Sequence, residues 1–303
     1  MKPLITVFTP TYNRKNYLIR IYESLLRQSD RRFVWLIVDD GSEDGTREEA
    51  EKFAEKNNGF DILYRRKENG GLYSAYESAL DECNTPLFMC VDSDDWLTDD
   101  AVRLILNRYA DIENNDGIAG LVAPNVLPDG TLIGGEMPNA EYVHIGELCY
   151  KYKHKGDVKM IYKTQILKQF VPLPKYDGEK AMNPCCLFMR CDEKYPLAVL
   201  HESVSVIDYS TNGMHTEVFA AYENSPRSFA LLRILFMRDR FAPPAAVFRN
   251  AIHYVSSCIF AKDKDFLMNV PHPFAVLFAV PFGAALNLLV RIKNGGRRHG
   301  TDI

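Results

Sequence analysis

Short apolar runs alternate with helical patterns over the first 110 residues, and this alternation constrains the fold more than any other feature. Leu4–Phe8 (LITVF), Phe33–Val38 (FVWLIV), Ile62–Tyr64 and Pro86–Val91 (PLFMCV) have the length and residue content of strands. Helical patterns at Tyr17–Gln28, about Thr46–Lys56, Leu72–Asp81 and Asp99–Ala110 lie between or after them. That spacing predicts parallel strand–helix–strand units: an α/β sheet with helices on both faces. In such sheets ligands bind beyond the carboxyl ends of the strands. Three of the strands end in polar clusters, Thr9-Pro10-Thr11-Tyr12-Asn13, Asp39-Asp40-Gly41-Ser42 and Asp92-Ser93-Asp94-Asp95. The clusters are predicted to open together on one edge.

Each cluster suits a different part of a nucleotide ligand. Asp92, Asp94 and Asp95 would repel one another unless a cation neutralises them. Hard oxygen donors suit Mg²⁺ or Mn²⁺, which take one or two carboxylates and complete their shell with phosphate oxygens and water. The plain alternative is a solvated acidic turn before the Asp99 helix. Asp39 and Asp40 can accept the imide N–H of a uracil or a ribose hydroxyl, although Asp and Gly at this position also make ordinary turns. In the first cluster Pro10 stiffens the loop, Tyr12 offers a ring on which a base can stack, and Asn13 can cap the following helix. Asn69-Gly70-Gly71, with Arg65, Arg66 and Lys67 just upstream, has the form of an anion-binding helix start and is a place for diphosphate contacts.

The blocks ITVFTPTYNR, LIVDDGSEDGT, ENGGLYSAYESAL and FMCVDSDDW, in this order and spacing, resemble the donor half of glycosyltransferase family 2. The resemblance covers about Leu4 to Ala110 and implies a GT-A fold: a mixed sheet with helices on both faces. It implies that Pro10, Tyr12 and Asp40 hold the nucleoside, with Asn13, Asp39, Asn69, Gly70 and Ser93 nearby. It further implies that Asp92 and Asp94, with Asp95 alongside, hold a divalent cation on the diphosphate. A weaker resemblance to a bacterial subset runs through Gly178-Glu179-Lys180 and Tyr209-Ser210-Thr211-Asn212-Gly213-Met214. It implies that Glu179, or Asp177 beside it, is the base that deprotonates an acceptor hydroxyl. Members of the subset commonly carry another Glu after a Pro downstream, where this chain has Asn183-Pro184-Cys185. The implied activity is inverting, metal-dependent transfer of a sugar, UDP-linked by family preference, to a glycan or lipid-linked acceptor of bacterial surface polysaccharide.

Composition bounds the remaining possibilities. With 47% hydrophobic and 25% charged residues, the 303-residue chain can bury a large core. Its net charge of −4 argues against a nucleic-acid partner. That sum conceals an asymmetry: Pro226–Ile303 holds 11 Lys/Arg and 4 Asp/Glu, a net of +7, leaving −11 on the residues before it. Residues 1–115 are predicted as the donor half, 116–225 as the acceptor half of the same domain, and 226–303 as a basic helical extension. Phe229–Phe241 and Val247–Phe260 read as amphipathic helices. Pro273–Val290 is uncharged over 18 residues and leads into Arg291, Lys293, Arg297 and Arg298, which suits a peripheral or monotopic contact with anionic lipid. Pro281, Gly283 and Asn287 are expected to weaken that stretch as a straight helix.

Seven cysteines without metal spacing, and no signal-peptide pattern before the first strand, predict a cytoplasmic protein at the inner face of the membrane. His144, His154, His201 and His215 lack a partner at zinc spacing. No GxSxG elbow or GxxxxGK[ST] loop occurs, which removes the corresponding hydrolases and P-loop enzymes. A processive synthase would carry a QxxRW motif, and a nucleotidyltransferase a glycine-rich loop after the first strand; neither is present. The alternative of another class is a degenerate nucleotide-sugar-binding scaffold.

Overall fold

The computed structural model describes residues 2–209 and 218–298; Ser210–Met214 of the Tyr209 motif and His215 lie outside the described residues. The chain divides into two compact units, Met1–Pro172 with Cys191–Thr211, and Leu173–Arg190 with Asn212–Ile303.

The first unit is built on one sheet of ten strands: β1 (Ile5–Thr11), β2 (Phe33–Asp39), β3 (Asp61–Arg66), β4 (Leu87–Cys90), β5 (Trp96–Leu97), β6 (Gly120–Val126), β7 (Tyr142–Val143), β8 (Val158–Lys163), β9 (Leu197–Val199) and β10 (Ser205–Val206). The main order is β3-β2-β1-β4-β8-β6-β10-β5, and β9 joins β6 to β7. β3, β2, β1 and β4 are mutually parallel, as the strand–helix alternation predicts. β8 then enters antiparallel to both β4 and β6, so the sheet is mixed.

Helices α1 (Leu18–Leu26), α2 (Thr46–Ala54), α3 (Leu72–Glu82) and α4 (Ala101–Ile112) connect the first strands, with short α5 (Ile145–Tyr150) and α6 (Thr164–Leu167) later. They cover both faces. Ile5, Val7, Trp35 and Ile37 pack with Leu18 and Ile21 of α1, Phe53 of α2 and Ile105 of α4. On the other face Phe8 stacks on Phe88, with centroids 5.5 Å apart, and meets Tyr76 of α3 edge-on at 5.0 Å. Strands covered on both faces carry continuous rather than alternating apolar runs. β3 is an edge strand, and it accordingly alternates half-buried and exposed positions.

β8 has no counterpart in the sequence reading because its two lysines are buried instead of facing water. Lys163 Nζ donates to the carbonyls of Ile112 (2.6 Å), Glu113 (3.2 Å) and Asn115 (2.8 Å), closing the C-terminal end of α4 with a cation where the helix dipole favours one.

α7 (Cys185–Asp192) precedes the helices of the second unit, α8 (Val218–Asn224), α9 (Pro226–Arg238), α10 (Pro244–Ala261) and α11 (Pro273–Arg298). α11 is continuous through Pro281, against the expectation of a weakened helix. Two local facts account for this. Pro281 faces solvent, and Gly283 is pressed so closely on α10 that a Cβ there would lie 2.5 Å from the Val255 side chain.

Candidate active site

The parallel register carries the ends of β1, β2 and β4 to one edge of the sheet. Thr11 is paired with Asp39, and Phe8 with Cys90, so the three polar clusters begin side by side. Pro10 is tolerated in this central strand because pairing with β4 stops at Cys90, where a proline lacks only an N–H that has no acceptor.

Asn13 has a left-handed backbone, φ 52°, which Asn tolerates better than most residues. Its N–H donates to Ser42 Oγ (2.8 Å), and its Oδ1 accepts the N–H of Glu43 (2.9 Å). It therefore fastens the loop after β1 to the loop after β2 and does not cap the short helix that follows, whose first N–H, on Lys15, donates to Asp44 Oδ2 (3.0 Å). Tyr12 is half exposed beside it, with its ring open to a ligand.

Asp39 and Asp40 are both buried and have different partners. Asp39 accepts the N–H of Ser42 (2.7 Å) and the hydroxyl of Tyr64 (2.5 Å); burial, then this carboxylate, drive the Tyr64 phenol well above its usual value. Asp40 holds the loop before α3. Its Oδ1 accepts from Lys67 Nζ (2.7 Å) and the N–H of Gly70 (2.9 Å), and its Oδ2 from the N–H of Gly71 (2.8 Å) and Asn69 Nδ2 (3.2 Å). The helix start read as an anion site is thus filled by the chain's own carboxylate. The Gly70 amide, expected on a diphosphate, is committed to Asp40, and of the upstream cations Arg65 pairs with Glu82 and Arg66 reaches the Ser42 carbonyl. Gly41 makes this closure possible: at φ +92°, an added Cβ would sit 3.2 Å from the Asn69 nitrogen.

Of the acidic trio, Asp92 is exposed, Asp94 is half-buried and Asp95 is buried with Ser93. Arg14, from the loop after β1, forms a 2.6 Å ion pair with Asp94. Lys159 of β8 donates to the Cys90 carbonyl (3.2 Å) and lies 4.0 Å from Asp95. Burial pushes Asp95 up to about 7, with Asp92, Asp94 and Asp157 adding to the rise and Lys159 opposing it. Among the described residues, no three His, Cys, Asp or Glu side chains gather as a ready metal cage. The donor set nevertheless fits a hard cation held by one or two carboxylates and completed by phosphate oxygens. Arg14 pairs with Asp94 and Lys159 faces Asp95, while Asp92 stays exposed at the edge. Arg14, Lys67 and Lys159 are the cations that organise this edge: Lys67, read from the sequence as a cation beside a diphosphate, is instead held by Asp40, and Arg14 and Lys159 were not singled out. For Arg14 the hint was the TYNR block, in which it directly follows Asn13.

In the second unit the candidate base Glu179 is half-buried and caps a helix. Oε1 accepts the N–H of Arg227 (3.0 Å), and Oε2 accepts the N–H (2.8 Å) and hydroxyl (2.7 Å) of Ser228 in the first turn of α9. Asp177, two residues before it, is exposed.

Residues 6–132 match the family model described as glycosyl transferase family 2. The glycosyltransferase GlyA of Streptococcus pneumoniae is 29% identical over 169 residues, 55% of this chain and 23% of that protein. The chondroitin synthase of Pasteurella multocida is 34% identical over 131 residues, 43% of this chain and 13% of that protein. The chain thus spans less than a quarter of the length of these two relatives. Among solved structures, S. aureus TarS 1-349 in complex with UDP-GlcNAc aligns over 92% of this chain and 79% of that one, with a TM-score of 0.61 at 19% identity. At that identity the likeness establishes the GT-A arrangement of the sheet and its helices.

Proposed function

We propose, since residues 6–132 carry a family 2 glycosyltransferase domain, that this protein transfers a sugar from a nucleotide donor, UDP-linked, to a hydroxyl of a glycan or lipid-linked acceptor in bacterial surface polysaccharide synthesis. The observation that carries the reading is the convergence of three strand ends, with Tyr12, the Asp40-held loop and Asp92–Asp95 on one sheet edge. Tyr12 supplies the stacking surface for the base. Asp40 shapes the loop bounding the nucleoside, and Asp39, Asn13 and Ser93 fix the strand-end loops around it. Asp92 and Asp94 would hold Mg²⁺ or Mn²⁺, which when bound offsets charge on the departing nucleoside diphosphate. Arg14 sits on Asp94 beside that position, and a guanidinium suits the oxygens of a diphosphate.

The transfer inverts the anomeric centre, with Glu179 or Asp177 taking the proton of the acceptor hydroxyl. The basic region 226–303 brings the enzyme to the inner face of the membrane, where a lipid-linked acceptor would lie. A degenerate, donor-binding scaffold is the second reading, favoured by the commitment of both Glu179 oxygens to α9. A screen of nucleotide sugars for metal-dependent binding and turnover, with Asp94→Ala as control, separates them. Turnover that Asp94→Ala abolishes supports the transferase; binding without turnover supports the scaffold; no binding of any donor refutes both.

A further inference from the structure

α11 has one face that the fold uses and another that it leaves in solvent. At about 100° per residue, Val276, Ala279, Gly283, Asn287, Val290 and Asn294 form a single stripe, and all are buried. Gly283 abuts Val255, Asn287 Nδ2 donates to the Ser256 carbonyl (3.2 Å), and Asn294 Nδ2 donates to Glu223 (2.8 Å). This stripe is committed to α10 and α8. The opposite stripe contains Phe274, Phe278, Phe282, Leu288, Leu289 and Ile292, with Phe274 77% and Phe278 72% exposed. The same rotation places Arg291 at one edge of the apolar stripe and Lys293 at the other, both exposed. Isolated exposed apolar side chains are ordinary, whereas a contiguous face of aromatic and aliphatic groups marks a surface that is covered in use.

We propose that α11 lies in the plane of an anionic bilayer, its Phe/Leu stripe sunk to the acyl boundary and Arg291 and Lys293 at the level of the lipid phosphates. This rests on the membrane reading given above and adds the orientation of the helix and its depth. At 26 residues α11 is long enough to cross the hydrocarbon core, which takes about 20. Crossing would either strip Asn287 and Asn294 of their partners or draw α10, with its exposed Arg249, into hydrocarbon. Lying flat incurs neither cost and leaves the packed stripe intact. The cover is lipid rather than protein because the apolar stripe is edged on both sides by cations and belongs to a segment of net charge +7, which matches an anionic interface.

The test uses the full chain floated with phosphatidylcholine vesicles, with and without phosphatidylglycerol. Binding is expected only with the anionic lipid. The double variant Phe278→Asp/Phe282→Asp should lower it at least about tenfold, and Arg291→Glu/Lys293→Glu should remove the preference for anionic lipid. All four positions are exposed, and unchanged thermal unfolding verifies that the variants fold. Tryptophans placed singly at Phe274, Phe282 and Ile292 should be quenched by brominated lipids at one shallow depth. A deep centre with shallow ends would mean a membrane span, overturning the in-plane assignment while the membrane reading stands. No flotation at all overturns both. A dimer in light scattering that Phe278→Asp dissociates would assign the stripe to a second copy and overturn the proposal. Donor binding, measured separately by calorimetry, should be the same in all these variants.

Discussion

Asp40 offers a sharp test of how the donor edge is built, because its two possible roles differ in their effect on stability. Asn at position 40 keeps one acceptor oxygen and turns an amide NH2 donor toward N–H groups that now point at a carboxylate. The wild-type side chain accepts four hydrogen bonds, one from an ammonium and two from backbone amides at the start of α3. A hydrogen bond to a charged group contributes about 1.5–3 kcal/mol, and a buried donor left unmatched costs about 1–3 kcal/mol. Lys67 remains about a quarter exposed, so its ion pair is counted at the low end of that range. Asp40→Asn should therefore destabilise the first unit by about 3 kcal/mol, lowering its unfolding temperature by about 6–12 °C. Differential scanning calorimetry measures the loss, and amide exchange at Gly70 and Gly71 should accelerate with it. A double-mutant cycle with Lys67→Met should give a coupling of about 1–2 kcal/mol. If Asp40→Asn melts within about 1 °C of wild type while nucleotide binding disappears, the carboxylate reads the ligand and the loop-holding argument is wrong.

Other consequences can be checked as readily. Gly41→Ala should cost about 2 kcal/mol in thermal unfolding, because a positive φ and a close Asn69 nitrogen act together. Glu179→Gln, which keeps one acceptor for the start of α9, should cost about 1 kcal/mol in urea unfolding whether or not it abolishes transfer. His253 is pushed down to about 4, first by burial and then by Arg233 and Arg249. The unfolded chain therefore binds this proton more readily than the folded one, and the stability present above pH ~6.5 is lost as pH falls toward 4. The loss should reach up to about 3 kcal/mol in the second unit and disappear in His253→Gln, as read by urea unfolding at a series of pH values.

The parallel half of the fold was legible because strands buried on both faces leave continuous apolar runs, and Gly41 and the Asp clusters mark where those runs stop. β8 was not legible. Its Lys159 and Lys163 break the apolar pattern, and their acceptors, the carbonyls of Cys90, Ile112, Glu113 and Asn115, lie 48 to 69 residues away in the chain. At the donor edge the sequence identified the acidic groups but not their partners. A carboxylate beside a glycine pair reads equally well as a ligand contact and as the anion that closes the glycine loop; only the geometry shows Asp40 doing the latter. Asn13 and Glu179 follow the same logic. Each residue type suits capping and catalysis alike, and its actual use depends on which loop or helix start folds against it. The continuity of α11 was hidden by its own Pro281 and Gly283, since the sequence does not reveal that one faces water and the other a neighbouring helix.

The antiparallel entry of β8 has a consequence for how this kind of edge can be retuned. A strand that runs opposite to β4 delivers its own beginning, Asp157 to Lys159, where β4 delivers its end. The acidic trio thus belongs to the stretch that matches the family, 6–132, whereas the buried lysine that moderates its charge comes from outside that stretch. Acid and counter-cation sit on separately replaceable pieces of chain. A change at Asp157 or Lys159, at the start of β8, can reset the electrostatics of the acidic edge without altering a single residue of the strand-end clusters after β1, β2 and β4.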